Sequence, residues 1–287
     1  MESGVTRREA LALGAAAVVS SAASRASAAF EPVPTAAAGR LNQSVCKWCY
    51  SMSLDDLAAN AAKLGLKSVE LLTEDQWPVV QKHGLTCAVA MGPTSIGTGW
   101  NRVENHDKFV EGSERLLPLV AKAGLPNMIV FSGNRNGISD EEGMANCAKG
   151  LKRIMPLAEK LGVTVIMELL NSKVDHHDYQ CDKTPWGVEL CKRVGSDRFK
   201  LLYDIYHMQI MEGDVIRTIE QNHEYIAHYH TGGNPGRNEI DQSQELNYKR
   251  VAQAIADTGF KGYFAHEFIP KRDPMKSLAE AIGICTV

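Results

Sequence analysis

Four ionisable residues each close a short apolar run. Glu168 follows Val163–Met167, Asp204 follows Leu201–Tyr203, His230 follows Ile226–Tyr229, and Glu267 comes shortly after Tyr263-Phe264. Runs of this kind read as strands, and an ionisable group beside a strand is rarely left without a partner or an ion. Three carboxylates and one imidazole form an oxygen-rich, mixed set that suits one divalent cation. Mn²⁺, Mg²⁺, Co²⁺ and Zn²⁺ all fit, and ligand type alone does not choose among them. The absence of Cys from the set argues against a structural zinc. Each residue alone has an ordinary explanation, as a helix cap, an ion pair or a hydrogen-bonded structural group. Recurrence once per strand over four successive strands is what points to a shared ion.

The same set suggests a reaction. A bound divalent ion can chelate adjacent carbonyl and hydroxyl oxygens and acidify the C–H between them. Glu168 and Glu267, on opposite sides, can then take up and return the proton. Return to the neighbouring carbon is an aldose–ketose isomerisation, and return to the same carbon is an epimerisation. Three further residues are expected at the substrate. Arg237, in the polar loop Asn234-Pro235-Gly236-Arg237-Asn238-Glu239, can fork onto a carboxylate. His207 lies three residues past Asp204, within reach of a substrate oxygen. Glu70, in Val69-Glu70-Leu71, is expected to point into the barrel, toward a substrate hydroxyl or a structural partner. The loop His176-His177-Asp178 reads as pocket wall or surface.

The elements that must position these residues alternate from residue 41 onward. Strand-like runs fall at about 43–50, 67–72, 84–91, 127–132, 162–168, 199–204, 226–231 and 262–268. Helical patterns lie between them. Ser53-Leu54-Asp55-Asp56 and Ser139-Asp140-Glu141-Glu142 are capping-box candidates. A helix over about 104–123 is closed by Gly124, the helix begun at Ser139 is expected to reach about Lys160, and Thr184-Pro185 reads as a cap with Pro at the first helical position. Later helices fit 214–222, 246–258 and 274–283. Eight β units alternating with helices predict a parallel sheet with right-handed crossovers. Roughly 245 residues for eight units is the size of a closed (β/α)₈ TIM barrel. A doubly wound open sheet is disfavoured because no Gly-rich phosphate loop follows the first strand.

Residues 1–28 read as a separate object. Arg7-Arg8 precede an Ala/Val/Leu-rich run and Ala26-Ser27-Ala28, the pattern of a twin-arginine-type signal peptide. Export to the periplasm is therefore expected, with a cytoplasmic location as the alternative. The run is short for a stable membrane span. Residues 29–40 read as a linker and 41–287 as one domain. A formal net charge of -3 gives no reason to expect nucleic acid or an anionic membrane as partner. The expected partner is a small hydroxy-keto acid or sugar, and homo-oligomerisation is open to such a chain. Seven Cys are present, an odd number that leaves at least one thiol unpaired. Cys46-Lys47-Trp48-Cys49 reads as buried small residues rather than as a redox pair, since it lies in a strand-like run.

At these residues the chain resembles the xylose isomerase-like TIM barrel superfamily and, within it, the hydroxypyruvate isomerases. The resemblance rests on Asp204-Ile205-Tyr206-His207-Met208-Gln209-Ile210-Met211-Glu212-Gly213-Asp214, on Asn234–Glu239 with Glu245-Leu246-Asn247-Tyr248, on Gly262–Glu267 with Pro270, and on Glu168-Leu169-Leu170-Asn171-Ser172. It covers about residues 41–285. It implies conversion of hydroxypyruvate to tartronate semialdehyde, with Glu168 and Glu267 as acid/base pair and metal ligands and Asp204 as a further ligand. The chain departs from that pattern at His230, where Gln is frequent and where His is usual in the ketose 3-epimerase branch, and at Leu169, where Pro is typical. The departures bear on the substrate more than on the chemistry. A ketose 3-epimerase and an inosose-type dehydratase are the competing enzyme readings, and an exported sugar- or metal-binding protein is the competing non-enzyme one; an apurinic-site nuclease on the same fold would need a richer His set and a basic groove, and the negative charge disfavours it.

Overall fold

The computed structural model describes residues 39–287. The expected signal peptide, and the linker up to residue 38, lie outside these residues. Eight strands follow in order: β1 (Asn42–Cys46), β2 (Ser68–Glu70), β3 (Val89–Met91), β4 (Asn127–Val130), β5 (Thr164–Leu169), β6 (Phe199–Asp204), β7 (Ile226–Thr231) and β8 (Tyr263–His266). All pair in parallel in the order β2-β1-β8-β7-β6-β5-β4-β3. Isolated parallel bridges Ser68↔Thr86 and Leu72↔Ala90 link the two edge strands. The sheet is thus a nearly closed barrel, as the alternation of elements predicts. Its strands read as near-continuous apolar runs because helices cover the outer face while side chains fill the inside.

Several boundaries depart from the sequence pattern, and four of them have a local cause. β1 stops at Cys46, and Lys47–Cys49 form a 3₁₀ turn closed by Tyr50 N–H on the Lys47 carbonyl. β3 starts only at Val89, because Gly84, at φ 75°, and Leu85 N–H on the Val80 carbonyl still belong to the stop of the preceding helix. The helix begun at Ser139 ends at Lys152, and a second, Met155–Leu161, takes over. Pro156 explains the break: it has no N–H to give, and its ring clashes with the carbonyl four residues back. Thr184 is the first helical residue rather than the cap, and its hydroxyl and N–H both go to Glu212. The two Ser caps form as expected. Ser53 and Ser139 accept from Asp56 N–H and Glu142 N–H, each at 3.1 Å. No helix among the described residues is long and apolar enough to cross a membrane.

The register decides where chemistry gathers. Asp204 pairs with His230 across β6 and β7. Glu168 sits one residue before the end of β5, and Glu267 one residue past β8, its N–H still on the Thr231 carbonyl at 3.0 Å. Four neighbouring strands therefore deliver four ionisable side chains to the same end of the barrel. Buried Tyr179, in the loop after β5, fixes the backbone of one of them. Its hydroxyl donates to the Glu168 carbonyl at 3.0 Å and accepts from Ser132 N–H at 3.1 Å, tying the ends of β4 and β5 together. Tyr179→Phe leaves both backbone groups buried and unpaired, so a loss of about 1–3 kcal/mol is expected in urea unfolding; a midpoint equal to wild type would show the tie to be dispensable.

Candidate active site

The C-terminal mouth of the barrel gathers Glu168, Asp204, His230 and Glu267. One ligand atom from each lies within 4.8 Å of all the others. Asp204 and His230 are fully buried, and Glu168 and Glu267 are 5% and 3% exposed, so the convergence is an interior one. Each side chain has a local reason for its aim. Asp204 caps the helix Ile205–Met211: its Oδ1 accepts from Tyr206 N–H at 2.8 Å and His207 N–H at 3.3 Å, which leaves Oδ2 facing the mouth. His230 Nδ1 lies 2.8 Å from Glu267 Oε2 and 3.5 Å from Glu168 Oε1. Trp48 Nε1 donates to Glu267 Oε1 at 2.6 Å. Glu168 Oε1 is buried with no hydrogen bond at all. An orphaned carboxylate oxygen beside two more carboxylates and an imidazole is a donor set that fits a divalent cation.

Arg237 supplies the positive charge at this point. Its Nη2 donates to Asp204 Oδ2 at 2.9 Å and to Glu267 Oε2, and its Nη1 lies 3.0 Å from His207 Nε2. The guanidinium also stacks 5.2 Å from the Trp48 ring and 5.3 Å from that of Tyr206. Arg237 adopts φ 56°, a left-handed conformation that costs a non-glycine residue roughly 1–3 kcal/mol. Hydrogen bonds of 2.7 Å from its N–H to Gly233 and to its carbonyl from Ile269 N–H hold it there. The electrostatics follow from this geometry. Burial alone would raise Glu267, but Arg237 and His230 pull its carboxyl well below the usual range. Glu168, with fewer partners, is raised by burial. For His230 burial opposes charge, yet Glu267 overrides it and raises the imidazole.

A cavity of about 460 Å³ opens above the cluster. Glu168, Glu267, Arg237 and His176 line its polar side, and Leu71, Met91, Ile96, Ile129, Phe131 and Leu170 its apolar side, with Trp48 at the rim.

A family model described as the xylose isomerase-like TIM barrel matches residues 58–285. The chain belongs to this family. The human putative hydroxypyruvate isomerase is 25% identical over 237 residues, 81% of this chain and 80% of that protein. The 2-oxo-tetronate isomerase of Cupriavidus necator is 34% identical over 110 residues, 38% of this chain and 42% of its own. Among solved structures, a family 2 AP endonuclease from Brucella melitensis superposes with a TM-score of 0.76 at 22% identity, covering 84% of this chain and 97% of that one. D-psicose 3-epimerase from Clostridium cellulolyticum gives 0.72 at 15% identity, covering 86% and 100%. The structural likenesses carry the fold, and the curated relatives mark the chain as an enzyme of the isomerase type.

In this xylose isomerase-like barrel the residues singled out in the sequence fall in two places. Glu168, Asp204, His230, Glu267, Arg237 and His207 share the mouth. Glu70 does not reach the cavity. It points into the barrel as expected, but Ser44, His228 and His230 take up both of its oxygens beneath the mouth. Burial works against its charge, yet the two imidazoles lower its carboxyl to about 2. His207 is fully buried, and its Nδ1 is met by the Asn171 amide at 2.6 Å. His176 lines the cavity wall, whereas Asp178 is exposed and caps Asn136 N–H at 2.7 Å. All seven Cys are buried and free. Sequence reasoning missed Trp48, because the run holding it looked like strand, and Asn171, because an Asn after a strand end is an ordinary loop residue. Arg237→Ala leaves Asp204 without its counter-charge and Glu267 with His230 alone, so metal-free protein is expected to lose about 3–5 kcal/mol in chemical unfolding; unchanged stability would mean that these carboxylates do not depend on the guanidinium.

Proposed function

We propose that this protein is a metal-dependent isomerase of small hydroxy-keto acids, with hydroxypyruvate to tartronate semialdehyde as the leading reaction. The observation that carries this is the convergence of Glu168, Asp204, His230 and Glu267 within 4.8 Å. These four would hold one divalent ion, which when bound supplies a Lewis acid for adjacent carbonyl and hydroxyl oxygens. The curated relatives named hydroxypyruvate isomerase and 2-oxo-tetronate isomerase support the reaction type.

The chain's own residues then have separate tasks. One of the two glutamates removes a proton from the hydroxyl-bearing carbon. The other delivers a proton to the neighbouring carbonyl carbon while the hydroxyl proton passes from the old alcohol oxygen to the old carbonyl oxygen, so that the carbonyl and the alcohol exchange places with no net gain or loss of atoms. Arg237, on the polar side of the cavity, fits a substrate carboxylate. His207, fully buried between Asn171 and Arg237, faces the guanidinium rather than the cavity and would act on the substrate through Arg237. The apolar wall limits water around the reacting carbons.

A ketose 3-epimerase is the second reading. The cavity of about 460 Å³ has room for a substrate longer than a three-carbon acid, and with a ketose bound, return of the proton to the same carbon would give the 3-epimer.

Incubation of the metal-loaded protein with hydroxypyruvate and a panel of ketoses in D₂O, followed by NMR, separates the readings. Tartronate semialdehyde, with deuterium on its new C–H, supports the first, and a 3-epimer deuterated at C3 supports the second. No turnover of any of these compounds removes both. Glu267→Gln is expected to keep the fold and lower kcat by at least about 10³-fold, because half of the proton-transfer pair is gone; near-wild-type turnover would refute the role. Treatment with EDTA should abolish activity, and Mn²⁺, Mg²⁺, Co²⁺ or Zn²⁺ should restore it to different extents.

A further inference from the structure

The proton-transfer reading leaves the fully buried Glu70 without a task. Glu70 ends β2, three places round the sheet from β7, yet its carboxylate crosses the barrel interior to meet two histidines of that strand. Glu70 Oε1 lies 2.6 Å from His228 Nε2 and 3.0 Å from His230 Nε2, and Ser44 Oγ donates to Oε2 at 2.5 Å. All four residues are 0% exposed, so no water competes for these bonds. His228 and His230 share one face of β7, as the two-residue repeat of a strand requires, and their rings meet edge-on at 5.0 Å.

An ionised carboxylate can only accept hydrogen bonds. Both imidazoles must therefore present Nε2–H to Glu70. For His230 this fixes the Nε2 proton, whereas the proton that Nδ1 shares with Glu267 Oε2 at 2.8 Å is the one a bound metal would displace. With the proton on Nε2, the nitrogen on the side of Glu168 and Glu267 is Nδ1. An imidazole ligates only through a nitrogen that carries no proton, and a carboxylate on the opposite N–H fixes both tautomer and orientation.

We propose that Glu70 is a positioning residue for the metal centre: it holds the Nε2 proton of His230 and so presents Nδ1 as the ligating atom, while Ser44 and His228 keep the carboxylate in place. This rests on the metal reading above. Ser44 and His228 already give each Glu70 oxygen a donor. The oxygen that meets His228 also takes His230, the single imidazole of the ligand set. Cys46, Glu70 and His230 also lie close enough to hold an ion, but that arrangement would need Glu70 to give up the bonds it already makes.

Two measurements on the full chain test the assignment. The first is histidine ¹⁵N NMR of the Zn²⁺-loaded protein. Protonated Nε2 and metal-bound Nδ1 on His230 support the proposal, and the reverse pattern overturns it without any variant. The second is Mn²⁺ affinity, from EPR of the free ion. Glu70→Gln is expected to weaken Mn²⁺ binding about 10–100-fold. In a His230→Gln background the same change should shift affinity by no more than about twofold, since its effect passes through His230. A folded Glu70→Gln protein that binds Mn²⁺ like wild type overturns this proposal alone. A wild-type protein that takes up no divalent ion overturns the metal reading, and this one with it. Uptake of two ions, one with a thiolate-to-Co²⁺ absorption band, overturns it in favour of a site at Cys46.

Discussion

Negative charge concentrated in a dry place is the constraint on which this structure depends. Glu168, Asp204 and Glu267 bring three carboxylates to one point in the barrel mouth, at 5% exposure or less. Such a cluster is stable only beside matching positive charge. The loop after β7 answers with Arg237, held in an unfavourable backbone conformation so that its guanidinium reaches Asp204 and Glu267 together. Trp48 and Tyr206 close over that guanidinium, and the Asp204 cap ties the cluster to the start of a helix. Loop, cap and rim all serve the same charge balance.

The barrel makes this balance achievable. In a parallel (β/α)₈ arrangement every strand ends at the same face, so residues far apart in the chain become neighbours there. Glu70, from the opposite part of the sheet, can reach β7 only because the barrel interior is narrow enough for side chains from different strands to touch. The barrel interior holds a polar layer of Ser44, Glu70, His228 and His230 just under the charged mouth. Below a cavity whose other wall is apolar, that layer gives the centre a fixed polar floor.

Much of this was legible in the sequence. The eight strands were visible as apolar runs between caps and glycines, because strand period and helix stops are local properties. The four residues of the cluster were visible because an ionisable group at the end of a buried strand is costly, and four such costs in succession call for a common cause. Less legible were features set by contact. The helix after Ser139 breaks at Pro156, a local signal that a long helical pattern masks. Trp48 looked like part of a strand, and only the turn at Lys47–Cys49 aims its indole at Glu267.

By itself, then, the chain determined its architecture and the chemical type of its centre, since both follow from residue kind and spacing along the backbone. The tertiary structure alone decided which partner each charged group has. Arg237 reaches Asp204 and Glu267 from the wall of the cavity, and Glu70 reaches two histidines rather than the cavity. The choice depends on distances across the barrel between residues as far apart as Glu70 and His230, and no local property of the sequence encodes them.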